Sequence, residues 1–180
     1  MTNTSFHEAA HAVTAVIVGM SEVQACIGRR ISETGISIEG ETVYSFPLAH
    51  SEPTDAVLQR RVTATFAGPA WETHSDPKLR PRAFHLQAQK TDCIKAKQII
   101  RCARAKCGLK GVALATWLEA AWQEADRIIE TEFAAILAVA EALDERKSLD
   151  DEIIRGLVRD LGIDLSRLDA LRPLNPDLAD

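Results

Sequence analysis

The chain is poor in the cysteine patterns that identify several common classes of protein. Its 180 residues contain four cysteines and no CxxC pair. Neither a disulfide scaffold nor a structural zinc ribbon is therefore expected, because both need paired and regularly spaced thiols. We expect reduced and mostly buried thiols instead. These cysteines are Cys26, Cys93, Cys102 and Cys107.

The chain also lacks an excess of positive charge and a long apolar run. It carries 21 Lys and Arg against 26 Asp and Glu, whereas a domain that neutralises phosphates is usually basic. The longest apolar stretch, AAHAVTAVIVGM, has 12 residues and contains His11, while a bilayer span needs about 20. The N-terminus has no basic start, and Glu8 lies where a signal peptide would be apolar. We expect a cytoplasmic protein with no membrane span and no nucleic-acid partner.

The apolar pattern predicts an α+β fold that is mainly α with a small β-sheet. A first helix should begin near Phe6, with Thr4 or Ser5 as its cap, and stop at Gly19. Short β-branched stretches then predict a small sheet, with strands at residues 23–27, 35–38 and 42–46.

The remainder of the chain is expected to be helical apart from one loop. A second helix should start near Thr54 and kink or restart at Gly68-Pro69, and a third should open near Thr91. Apolar residues that step by three and four predict one long helix over 118–143 and a shorter helix around 153–161. Between the second and third helices, residues 73–90 are expected to form a loop.

The length suits one domain, which we take as residues 1–180. Within it we expect a metal-site half (1–110), a C-terminal helical part (111–165) and a tail (166–180).

The strongest motif is HExxH, in the stretch FHEAAHA at residues 6–12. His7 and His11 lie one turn apart on one helix face and could bind one zinc ion through their imidazole nitrogens. Glu8 follows the first ligand and could act as general base on a zinc-bound water, whose pKa the metal lowers toward 7. The pattern also arises by chance, and the alternative is a helix with half-buried histidines. Its apolar neighbours favour a metal, since three buried ionisable groups need a partner.

A catalytic zinc site needs a third protein ligand, which the spacing leaves open. The HExxHxxGxxH extension is absent, because the sixth residue after His11 is Ile17. Asp92 opens a predicted helix, where the positive end of the dipole stabilises an anion. The candidates are His50, His74, His85, Glu72, Asp76, Asp92 and the four cysteines.

Longer segments resemble, in order, the peptidase domain of FtsH-type ATP-dependent zinc metalloproteases. FHEAAHAVTAVIVG resembles the opening HEAGH helix of that family, and VQACIGRR and ETGISI resemble its first strands. DAVLQRRVTATFAGPAWE resembles the helix with a GGRAAEE-like end, and TDCIKAKQIIRCA resembles the NDIxxAT helix. The segment from Leu118 onward resembles the long C-terminal helix.

The resemblance implies an FtsH-peptidase-like helical domain with HExxH on its first helix. It makes His7, His11 and Asp92 the zinc ligands and Glu8 the catalytic base. Glu72 would orient a ligand histidine. A strand beside the cleft would pair with an extended substrate backbone by strand addition, and its residues would be Gly35, Ile36, Ser37 and Ile38.

The implied function is a zinc-dependent endopeptidase acting on unfolded proteins or peptides. The sequence departs from the family in having HExxH at residue 7, no GxxxxGK[ST] phosphate loop, and Gly68-Pro69 in place of Gly-Gly-Arg. We therefore expect ATP-independent hydrolysis, or an ATPase partner in trans. The resemblance does not predict the oligomeric state of this chain. One alternative is a non-catalytic peptide-binding adaptor with a peptidase-like fold. Another is a regulatory protease of the ImmA type, which the long C-terminal helix fits less well.

Overall fold

A buried helix, α1 (Asn3–Ile17), lies at the centre of the fold, and its residues 8–16 are all buried. The computed structural model describes residues 1–32, 35–45, 54–75, 78 and 91–165. The elements that follow α1 are β1 (Ser21–Ser32), β2 (Gly35–Ser45), α2 (Asp55–Ser75), α3 (Thr91–Lys106), α4 (Gly111–Thr131), α5 (Phe133–Arg146), β3 (Ser148–Leu149) and α6 (Asp151–Asp160). The fold is therefore mainly helical with a small sheet, which confirms the α+β prediction.

The start of α1 differs from the prediction. Thr2, not Thr4 or Ser5, is the N-cap, and its side chain accepts a hydrogen bond from the backbone N–H of Ser5. The Ser5 hydroxyl in turn accepts one from the backbone N–H of Thr2, which completes a capping box. The predicted end is confirmed, since Gly19 follows the helix with a φ of 80°.

The sheet has the order β2-β1-β3 and is antiparallel throughout. The prediction of three short strands is wrong, because the second and third are parts of one strand, β2. Gly40 does not interrupt β2, since it pairs with Ile27 in a register that runs from Ser32↔Gly35 to Gln24↔Val43. The sequence pattern missed β3, which lies in the charged run DERKSLDDE.

Helix α2 begins at Asp55, as predicted near Thr54, but it does not restart at Gly68-Pro69. A proline inside a helix removes one backbone hydrogen bond, and here the helix continues through it to Ser75. Residues 73–75 are therefore helical and not part of a loop. The rest of that predicted loop, apart from residue 78, lies outside the described residues.

The predicted helix over 118–143 is two helices, α4 and α5, which meet at Glu132. Its φ of −111° and ψ of 26° depart from helical values. The apolar stepping continues on both sides of this residue, so periodicity alone does not reveal the break. Helix α3 begins at Thr91, as predicted, and α6 matches the predicted last helix.

Two sets of contacts connect α1 with α5, one of them through Trp71 of α2. Phe6, Trp71 and Phe133 form a row of stacked rings, with centroids 4.8 and 5.9 Å apart. Near the start of α1, Asp144 on α5 accepts a hydrogen bond from the Ser5 hydroxyl and lies 3.1 Å from the amino group of Met1. Among the described helices, none is both long and apolar enough to cross a membrane.

Replacing Asp144 should weaken the fold in a pH-dependent way. The Ser5 hydrogen bond and the terminal amino group hold the pKa of Asp144 below its usual range. Its contribution is therefore present above the unfolded value, about 3.9, and is lost as the pH falls through the folded pKa. We expect Asp144→Ala to lower the free energy of unfolding by about 1 kcal/mol at pH 7, because the pair is partly exposed and screened.

Urea unfolding at pH 7 and pH 3 measures this effect. The difference in the free energy of unfolding between wild type and Asp144→Ala should be smaller at pH 3 than at pH 7. The exposed control Asp160→Ala should stay close to wild type at both pH values. An equal gap at the two pH values would contradict the assignment.

Candidate metal centre

Three side chains from two helices converge at one point beside α1. The Nε2 atoms of His7 and His11 lie 3.2 Å apart. The Oδ2 atom of Asp92, in the first turn of α3, lies 3.1 Å from His7 Nε2 and 3.4 Å from His11 Nε2. These three residues could hold one metal ion, and Asp92 is the third ligand that the resemblance implied.

The other nitrogen of each imidazole is held by α2. His11 Nδ1–H donates to the backbone carbonyl of Ala64 at 2.7 Å. His7 Nδ1 lies 3.2 Å from Glu72 Oε1 and can donate to it. Each bond keeps the proton on Nδ1 and directs Nε2 toward Asp92, which is the tautomer that a metal requires. Glu72 therefore lies where it would orient a ligand histidine.

A glycine makes room for both imidazoles. A Cβ atom on Gly68 would lie 2.3 Å from His11 Nε2 and 2.4 Å from His7 Nε2. These distances are far below van der Waals contact, so any side chain here would push the two rings apart. The two imidazole rings occupy the space that a side chain at Gly68 would fill. The donor set of two imidazoles and one carboxylate suits a divalent transition metal.

Glu8 lies beside the ligands and is held by β2. It is 5% exposed, and its Oε2 accepts a hydrogen bond of 2.7 Å from the Thr42 hydroxyl. A Cβ on Gly40 would lie 2.4 Å from Glu8 Cγ, so only glycine fits at that point of the strand. Sequence reasoning missed both Thr42 and Gly40. Thr42 could have been found from the alternation of side chains along the strand, which places it on the inner face of the sheet.

The ligands open into a cleft with a volume of about 830 Å³. Its wall includes residues 39–42 and Tyr44 of β2. The predicted substrate strand, residues 35–38, lies farther along β2 and pairs with residues 29–32 of β1. Its role in substrate binding stays a prediction, and the part of β2 that lines the cleft begins at Glu39.

The other candidates for a third ligand do not join this group where they are described. His74 is directed toward Asp126, at 3.8 Å, and Cys93 is buried in the core. Cys26 lines the cleft but is exposed. Three further candidates lie outside the described residues, namely His50, Asp76 and His85.

The pKa values of two ligands are displaced in opposite directions. Burial disfavours the charged form of His7, but hydrogen bonds to Asp92 and Glu72 outweigh burial and raise its pKa to about 9. Burial likewise acts to raise the pKa of Asp92, while the neighbouring His11 and His7 hold it well below its usual range. Without a metal, a proton on His7 therefore takes the place of a cation between the two carboxylates.

No protein-family model matches the chain, and no curated protein matches it either. The likeness to FtsH-type peptidases therefore stays a prediction from the sequence segments. The functional argument rests on the geometry of the described residues.

Gly68→Ala should weaken metal binding while the helix survives. Alanine is a better helix former than glycine, but its Cβ cannot coexist with the observed imidazoles. We expect zinc affinity to fall at least about tenfold, with helical content unchanged. Titration with a chromophoric chelator and circular dichroism measure the two quantities. Gly156→Ala in α6 is the matched control, since a Cβ there meets nothing within 4 Å. Equal zinc affinity in Gly68→Ala and Gly156→Ala would contradict the close approach of α2 to the two imidazoles.

Zinc binding should release a proton and tighten as the pH rises. Below about pH 9 His7 of the metal-free protein is an imidazolium, and a metal must displace its second proton, the one on Nε2. The apparent affinity should therefore rise about tenfold per pH unit between pH 7 and 8.5 and level off above the pKa of His7. Calorimetry in buffers of different ionisation enthalpy counts the released proton. A pH-independent affinity would show that His7 is already neutral.

Proposed function

We propose that the chain is a zinc-dependent metallopeptidase that hydrolyses peptide bonds in peptides or unfolded proteins. One observation carries the proposal. The Nε2 atoms of His7 and His11 and a carboxylate oxygen of Asp92 lie within 3.4 Å of one another, with the carboxylate of Glu8 lining the same cleft. This is the constellation that metal-assisted hydrolysis requires, namely three ligands and a general base.

Two histidines and a carboxylate also bind non-haem iron, so the choice of zinc rests on Glu8. It directly follows the first histidine of an HExxH helix, the arrangement in which two histidines bind zinc and the glutamate acts as general base.

A zinc ion held by these residues would polarise the scissile carbonyl and make a water molecule acidic enough to ionise near neutral pH. Glu8 would take the proton from the attacking water and deliver it to the leaving amine. Since Thr42 donates to Oε2 of Glu8, we assign the proton transfer to Oε1. The bond from Thr42 keeps this buried carboxylate in one orientation.

The cleft suits an extended chain. Within the described residues, β2 pairs only with β1 and leaves its other side without a strand neighbour. Free backbone groups at such an edge can pair with an incoming peptide. A folded substrate would not expose a backbone in this form, so we assign peptides and unfolded segments as substrates.

Glu8→Gln is the direct test of catalysis. The amide cannot accept a proton, while the ligand set stays complete. We expect the variant to bind zinc like wild type and to lose about 10²- to 10⁴-fold in kcat/KM on casein or a fluorogenic peptide library. Metal content by mass spectrometry and hydrolysis rates are the two readouts, and Glu141→Gln on the exposed side of α5 is the control.

A competing reading, the non-catalytic adaptor module, predicts a different result. It requires zinc-loaded wild type to leave every peptide intact while still binding peptides as tightly as Glu8→Gln does. That outcome would overturn the proposed hydrolysis.

A further inference from the structure

Lys95 lies near the candidate metal site but has no role in the proposed hydrolysis. It lies on α3 three residues after Asp92, so the two side chains emerge from the same face of the helix about one turn apart. Lys95 is half-buried and lines the metal cleft. Lys95 is therefore a cation in the wall of the cleft that contains Asp92, and an anionic group of a ligand could pair with it.

A second pocket opens beside the metal cleft, with a volume of about 350 Å³. It lies between residues 41–44 of β2 and residues 95–102 of α3, and α2 supplies part of its wall. The two cavities are continuous, because they share five described lining residues, namely Glu41, Thr42, Tyr44, Thr65 and Lys95. We call the second pocket the side pocket. A peptide laid along β2 across the ligands would extend into it.

The charges of the two cavities differ. The described lining of the metal cleft holds five carboxylates, and Lys95 is its one lysine or arginine. In the described lining of the side pocket, Lys95 and Arg61 face a single carboxylate, that of Glu41. Glu41 is exposed, whereas Lys95 is half-buried.

The Lys95 ammonium makes no ion pair with any described residue. A lysine in the wall of a pocket, with no carboxylate already paired to it, can pair with a carboxylate that arrives with a ligand. The Tyr44 hydroxyl in the same pocket already donates within the protein, to Thr65 Oγ1 at 2.9 Å, because the Thr65 hydroxyl itself donates to the backbone carbonyl of Arg61. Lys95 is therefore the group to which we assign a carboxylate.

We propose that the side pocket binds a carboxylate of the substrate next to the scissile bond, with Lys95 as the residue that determines this specificity. The inference rests on the proposed peptidase function and adds a substrate class to it. The carboxylate has two possible sources, an aspartate or glutamate side chain and a free C-terminus. Both present the same chemistry to Lys95.

The test uses two readouts on one set of fluorescent peptides. Each peptide has a glutamate, a glutamine or a lysine at one position near the scissile bond, and each is made with a free and with an amidated C-terminus. Hydrolysis by the zinc-loaded wild type gives kcat/KM. Fluorescence anisotropy with the zinc-loaded Glu8→Gln protein gives binding without turnover. Lys95→Met and Lys95→Glu are compared, with Lys97→Met as control, because Lys97 is exposed on α3 and lines neither cavity.

We expect wild type and Lys97→Met to favour glutamate over glutamine about tenfold, or a free over an amidated C-terminus by a similar factor. A preference for glutamate would identify an acidic side chain as the source of the carboxylate. A preference for the free C-terminus would identify the chain terminus. Lys95→Met should lose the preference, and Lys95→Glu should turn it toward lysine.

Two results would overturn the inference. One is a wild type that binds and cleaves all the peptides alike, which leaves the peptidase function standing. The other is a preference for glutamate that survives in Lys95→Met. If no peptide is cleaved, the proposed function fails, and anisotropy still decides whether Lys95 selects a carboxylate.

Discussion

The whole candidate site depends on one close approach, that of α2 to the imidazoles of α1. Ala64, Gly68 and Glu72 follow one another at intervals of four and share a face of α2. The first accepts a hydrogen bond from His11, the last lies against His7, and the glycine between them has no side chain to displace either ring. The two helices run antiparallel here, so each imidazole meets its own partner. The tautomer, the orientation and the spacing of the ligands all follow from this contact.

Strand β2 plays a corresponding part for Glu8, the proposed general base. Gly40 gives Glu8 the space for its methylene groups, and Thr42 fixes one carboxylate oxygen. The same segment lines the cleft in which a substrate backbone could add to the sheet. One strand therefore links the position of the base to that of the substrate, so a shift of β2 would move both together. Within the part of the chain that the structure describes, Thr42 is the one hydrogen-bond partner of the Glu8 carboxylate, so the orientation of this buried group depends strongly on Thr42.

The sequence predicted the local features of this site better than its long-range contacts. The spacing of four placed His7 and His11 on one face of a helix, and a capping position placed Asp92 in the first turn of another. Only the resemblance selected Asp92 among the candidates, because spacing says nothing of contacts between residues 85 positions apart. The expected restart at Gly68-Pro69 is wrong, because in sequence a glycine that makes room for a neighbouring helix looks the same as one that ends its own helix. The break at Glu132 was missed because apolar periodicity continues across it.

The central claim is that His7, His11 and Asp92 bind one zinc ion with an open fourth position. X-ray absorption at the zinc edge of the zinc-loaded protein tests it most directly. The account predicts a four-coordinate ion with two imidazole nitrogens, oxygen as the remaining ligands and bonds of about 2.0–2.1 Å. In Asp92→Ala the two-imidazole signature should persist at a much lower zinc affinity. A sulfur shell at about 2.3 Å, or fewer than two imidazoles in the wild type, would contradict the account.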